Sequence, residues 1–196
     1  MSHYDEDALE KFRLSGRILR ETREEIKNFV REDMPIIDIC EKAEKTIMDK
    51  GGKPAFPCNV SINEIAAHYT SPPNDNRRIP RKSIVKVDIG VHVDGYLTDT
   101  AVTICFNPEY KSLVDTAEQA LKTAINSIHP EMSTSKLGAI IEKNNKISRF
   151  QTDFKLNWAS RHFRMDAVYG CFQGLFCCIP EAFVFWVKAY GYGCVS

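Results

Sequence analysis

The run "IVKVDIGVHVDGYLTDTAVTIC", residues 84 to 105, constrains the fold more than any other part of the chain. Two stretches rich in Val, Ile and Thr, 84–93 and 96–105, flank the dipeptide Asp94-Gly95. β-Branched residues favour extended backbone, and Asp-Gly accepts the positive φ angles of a two-residue turn, so the run predicts an antiparallel hairpin. The turn also sets the register. With Val93 facing Tyr96, counting outward puts Gly90 opposite Asp99 and Asp88 opposite Ala101. Side chains alternate along a strand, so these four residues share one face, with the two aspartates diagonal neighbours about 7–8 Å apart at Cα.

Two carboxylates that converge among strand-forming residues repel each other and resist desolvation. The pattern leaves two readings open, because periodicity does not report burial. Either the aspartates face water on a solvated edge hairpin, or they are buried and one of them takes a proton or a cation lies between them. Hard oxygen ligands from one hairpin can serve two divalent ions about 3.5–4 Å apart, one carboxylate bridging and the other terminal. Gly90 and Ala101 are small enough to leave space for that arrangement. Asp94 is accounted for by the turn, and His92, on the aspartate face, reads as a rim or core histidine.

Elsewhere the chain alternates helical and extended signals. Residues 5–31 carry Leu9, Phe12, Ile18, Leu19, Ile26 and Val30 near a helical period among charged residues, predicting an amphipathic helix. A second helix follows Pro35 and stops at Gly51 and Gly52. "AFPCNVSIN" predicts an edge or irregular strand around Pro57, and "SPPNDNRRIP" a loop. After the hairpin, "PEYKSLVDTAEQALKTAINSI" predicts a helix with Leu113, Ala117, Leu121 and Ile125 as its apolar stripe. "STSKLGAIIEKNNK" predicts another behind a Ser or Thr cap. The order implies an α+β fold.

Composition narrows function mainly by exclusion. Lys plus Arg and Asp plus Glu are 26 each, which points to no membrane surface and no specific nucleic acid as partner. The polar, acidic N-terminus has no apolar segment of signal-peptide type, which places the protein in the cytoplasm with its 7 cysteines as free thiols. Cys171, Cys177, Cys178 and Cys194 lack zinc-motif spacing.

Two phrases, "AFPCNVSINEIAAHYT" and "VKVDIGVHVDGYLTDTAVT", resemble the type II methionine aminopeptidases of archaea and eukaryotes. The resemblance runs over residues 5–146 and includes the eleven-residue step from Asp88 to Asp99. It implies the first half of the pita-bread fold, helices over a curved antiparallel sheet. It implies two divalent ions, drawn from Co, Mn, Fe or Zn, with Asp88 a terminal ligand and Asp99 bridging. His68 matches the histidine that contacts the substrate at the scissile peptide, and Phe56 and Asn59 match positions around the methionine side-chain pocket. The implied substrate is the N-terminal Met of nascent polypeptides with a small second residue, and the ribosome is a further implied partner. A non-catalytic relative that binds RNA or ribosomes, and a peptidase of the same fold cleaving before proline, are the alternatives. Retention of both aspartates argues against the first, and the two phrases against the second.

The family's remaining ligands, a histidine and two glutamates, come from its second half, and no residue here matches them. Composition changes sharply near residue 147, after which most of the aromatics and few acids occur. "RFQTDFKLNWAS", written in permitted codons and read one base later, gives "GFKPISNLTGH", which resembles the family's segment ending in the ligand histidine. Residues 1–146 are therefore expected to be the N-terminal half of the aminopeptidase domain and 147–196 a frameshifted tail. As written, the chain is expected to bind metal weakly and turn over negligibly.

Overall fold

The computed structural model describes residues 6–147 apart from 66, 130 and 131. Its elements are α1 (Glu6–Phe29), α2 (Ile36–Asp49), β1 (Lys53–Pro54), β2 (Asn59–Ile62), β3 (Ile84–Val93), β4 (Tyr96–Cys105), α3 (Lys111–Ser127) and α4 (Thr134–Ile147). The α+β expectation is met. β4 lies along one edge of β3, while β1 and β2 share its other edge in succession, all antiparallel.

The β3–β4 register is the one the turn demands, with Gly90 paired to Asp99 and Asp88 to Ala101. Asp94 at φ 50° and Gly95 at φ 88° make the turn, both in the left-handed region that Asp tolerates and Gly adopts without cost. The opposite strand face is the core. Val85, Val87, Ile89 and Val91 of β3 and Val60 of β2 are all at most 1% exposed, packed with Leu19, Ile26, Ile39 and Ile47 of α1 and α2. Helices thus cover one sheet face and leave the other to the aspartates. At the hairpin tip Phe12 meets Tyr96 edge-on, ring centroids 5.0 Å apart, which ties α1 to the turn.

Three local features differ from expectation. α1 buries Ser15, whose hydroxyl donates to Val91 O at 3.0 Å and lies 2.7 Å from Thr98 Oγ1, so a polar residue belongs to its apolar stripe. The helix expected from Pro108 begins with a 3-10 turn, Pro108–Tyr110, capped by Asn107 Oδ1 accepting from Glu109 N–H at 3.0 Å. On α3 the fully buried residues are Val114, Ala120 and Ala124, while Leu113 is 39% exposed. Ala120 and Ala124 pack on Leu137 and Ile141 of α4 and on Met132 just before it, where alanines allow the helices to approach. Ser133 caps α4, its Oγ accepting from Lys136 N–H at 3.3 Å. The expected frameshifted tail lies outside the described residues.

Candidate metal centre

The face of the sheet away from α1 and α2 carries Asn59 and Ser61 of β2, Lys86, Asp88, Gly90 and His92 of β3, and Asp99 and Ala101 of β4. Asp88 is buried, 4% exposed, and Asp99 is half-buried. Asp88 therefore does not face open water, and one of the two readings left by the sequence is removed for it. Burial raises the Asp88 carboxyl pKa, because desolvation penalises the charged form. The Lys86 charge, the neighbouring Asp99, and then His68 and Asn59 pull it back down. Asp88 Oδ1 and, on the same face, Ser61 Oγ are buried with no hydrogen-bond partner among the described residues. Buried oxygens of this kind beside a second carboxylate fit a hard divalent cation. No cluster of three or more His, Cys, Asp or Glu that could hold a metal ion occurs among the described residues.

The space expected above Gly90 is filled. A Cβ there would stand 2.3 Å from Phe56 Cε1 and 2.8 Å from its Cδ1. The Phe56 ring lies on the backbone beside the aspartates, and Gly90 is required for that approach. Phe56 comes to this place from the segment before β2, which is held by Ala55 N–H donating to Gly90 O at 3.0 Å.

His68 belongs to the loop after β2. It is exposed and has φ 61°, an unfavourable value for a non-glycine residue, costing about 1–2 kcal/mol. The loop is pinned by a network that the sequence did not disclose. Asp75 accepts from Tyr69 Oη at 2.7 Å and Ser71 Oγ at 2.8 Å, and pairs with Arg77 Nε at 3.1 Å. The Arg77 guanidinium sits 3.8 Å from the Tyr69 ring centroid. Val60 N–H donates to Tyr69 O at 2.7 Å, and Thr70 Oγ1 to Asn59 Oδ1 at 2.7 Å. His92 is occupied at the turn, its Nδ1 accepting from Gly95 N–H at 3.3 Å. Cys40, Cys58 and Cys105 are free thiols, and the other four cysteines lie outside the described residues. No helix among the described residues is long and apolar enough to cross a membrane.

The methionine aminopeptidase of Saccharolobus solfataricus is 41% identical over 138 residues, 70% of this chain and 46% of that protein. That of Methanocaldococcus jannaschii is 43% identical over 137 residues, 70% of this chain and 47% of that protein. The chain spans about half the length of these curated relatives. The solved methionine aminopeptidase of Thermotoga maritima superposes with a TM-score of 0.68 at 22% identity, covering 75% of this chain and 63% of that one, which shows the shared pita-bread fold. Residues 10–162 match the sequence pattern of the metallopeptidase family M24. A match over most of the chain, on a fold that sets two acids side by side on one sheet face, places this protein in that family: it is a member of metallopeptidase family M24.

Proposed function

We propose that this protein is a metal-dependent methionine aminopeptidase, which removes the initiator methionine from nascent polypeptides in the cytoplasm, with the ribosome as a further partner. The observation that carries the reading is the buried Asp88, one oxygen without a partner, held on the same sheet face as Asp99. Asp88 and Asp99 would hold the divalent ions, drawn from Co, Mn, Fe or Zn. Such ions would neutralise the paired carboxylates and polarise the scissile carbonyl. The chain's own residues do the rest. His68 stands at the substrate's scissile peptide and stabilises the charge that develops on its carbonyl oxygen. Phe56 offers an aromatic face beside the carboxylates, suited to a methionine thioether, and Asn59 borders the same pocket.

Residues 1–146 are the first half of the aminopeptidase domain and 147–196 a tail in a shifted frame, so the chain as written binds ions weakly and does not turn over. The test compares the 196-residue chain with one whose frame is restored after codon 146, each given Mn2+ and a peptide beginning Met-Ala. Only the restored chain is expected to release methionine, and Asp88→Asn or Asp99→Asn in it abolishes release. Methionine release by the 196-residue chain overturns the reading of the tail. A restored chain that folds and binds Mn2+ but releases no methionine overturns the enzyme.

A further inference from the structure

Asn59 begins β2 directly opposite Asp88 in the β2–β3 ladder, so the two side chains leave the sheet on the same face as nearest cross-strand neighbours. Both are buried, Asn59 at 9% and Asp88 at 4% exposed. Asn59 is also gripped from the other side, by an antiparallel bridge to Thr70 and by the Thr70 hydroxyl, which donates to its Oδ1 at 2.7 Å. A carboxamide has one acceptor end and one donor end. With the acceptor end turned to Thr70, the NH2 end is presented to Asp88. The reverse orientation would set the amide oxygen against a carboxylate oxygen in a buried place, where unpaired acceptors are costly.

We propose that Asn59 is a positioning residue for the metal site: its Nδ2 donates to one oxygen of the Asp88 carboxylate, Thr70 locks the amide in that sense, and the other oxygen is left for the ion. The proposal rests on the reading of Asp88 as a ligand. Asp88 Oδ1 is the oxygen without a partner, as this division of labour requires. The residue type also suits the task. A lysine here would compete with the cation and an aspartate would repel Asp88, whereas a neutral amide orients the ligand without altering the charge of the site.

The experiment uses the full 196-residue chain, Mn2+ alone followed by its free-ion EPR signal, and Co2+ followed by its visible absorption. Asn59→Ala is expected to weaken Mn2+ binding about 10–100-fold and to change the Co2+ bands. Thr70→Val, isosteric but without the hydroxyl, is expected to weaken binding in the same direction, and Thr70→Ser to restore it. A merely structural role for Asn59 moves the urea midpoint and leaves the bound-ion spectrum unchanged. Wild-type affinity and spectrum in Asn59→Ala, or equal weakening by Thr70→Ser and Thr70→Val, overturns the proposal. In the chain with its frame restored after codon 146, Mn2+ binding no better than that of its Asp88→Ala variant removes Asp88 as a ligand, and the proposal falls with it.

Discussion

Adding one methyl group at Gly90 tests how the site face is built. An ideal Cβ at this position lies 2.3, 2.8 and 2.9 Å from Cε1, Cδ1 and Cζ of Phe56. Carbon atoms pack comfortably at about 3.5–4.0 Å, so the ring has to retreat by about 1 Å. Overpacking of this kind costs about 1–3 kcal/mol. Replacing a strand glycine by alanine returns about 0.5–1 kcal/mol of backbone entropy. The net loss for Gly90→Ala is therefore about 0–2.5 kcal/mol. At a urea dependence of about 2 kcal/mol per M, the unfolding midpoint falls by up to about 1.25 M. In a Phe56→Ala background there is no ring to displace, and only the entropy gain remains. Gly90→Ala then raises the midpoint, by about 0.25–0.5 M, so the sign reverses between backgrounds. Far-UV circular dichroism of the four proteins in urea measures all of this in one cycle. An equal fall in both backgrounds would show that Phe56 does not lie against Gly90, and with it the apolar wall beside the aspartates would be lost.

Two further outcomes follow from buried polar groups. Ser15→Ala removes the donor to Val91 O and the partner of Thr98 Oγ1, leaving buried acceptors unsatisfied, and is expected to lower stability by about 1–3 kcal/mol; a urea midpoint equal to wild type would refute those hydrogen bonds. Asp88 has a raised carboxyl pKa in the folded, metal-free chain, so the native state holds its proton more tightly than the unfolded state does. Stability from this group is present below the unfolded pKa and declines as pH rises through the folded one. Asp88→Asn should therefore stabilise the chelator-treated protein at pH 7 and have little effect at pH 3, and a variant less stable than wild type at pH 7 would contradict the burial argument.

Local chemistry carried the sequence reading a long way at the hairpin. The Asp94-Gly95 turn and the period of two set the register, and the register alone decided that Asp88, Gly90, Asp99 and Ala101 share a face. These follow from neighbours along the chain, where steric rules act without reference to the rest of the fold. Likewise α1 and α2 were legible from apolar spacing, and the loop before β3 from its Pro and Asn content. The stripe of α3 was legible only in part: Leu121 and Ile125 pack on the cluster shared with α4, whereas Leu113 is exposed and its equally apolar neighbour Val114 is buried.

The tertiary structure decided everything that depends on segments distant in sequence. Ser15 is polar in the sequence and becomes a core residue because Val91 and Thr98, 76 and 83 residues away, offer it partners. Gly90 promised a hollow, and the fold laid Phe56 into it. Whether Asp88 meets water was open until β2 and the Thr70 segment came alongside, taking the carboxylate out of solvent and putting the Asn59 amide next to it. Side-chain periodicity records which way a residue points, whereas burial and hydrogen-bond partners depend on what arrives from elsewhere in the chain, and that is a property of the assembled fold.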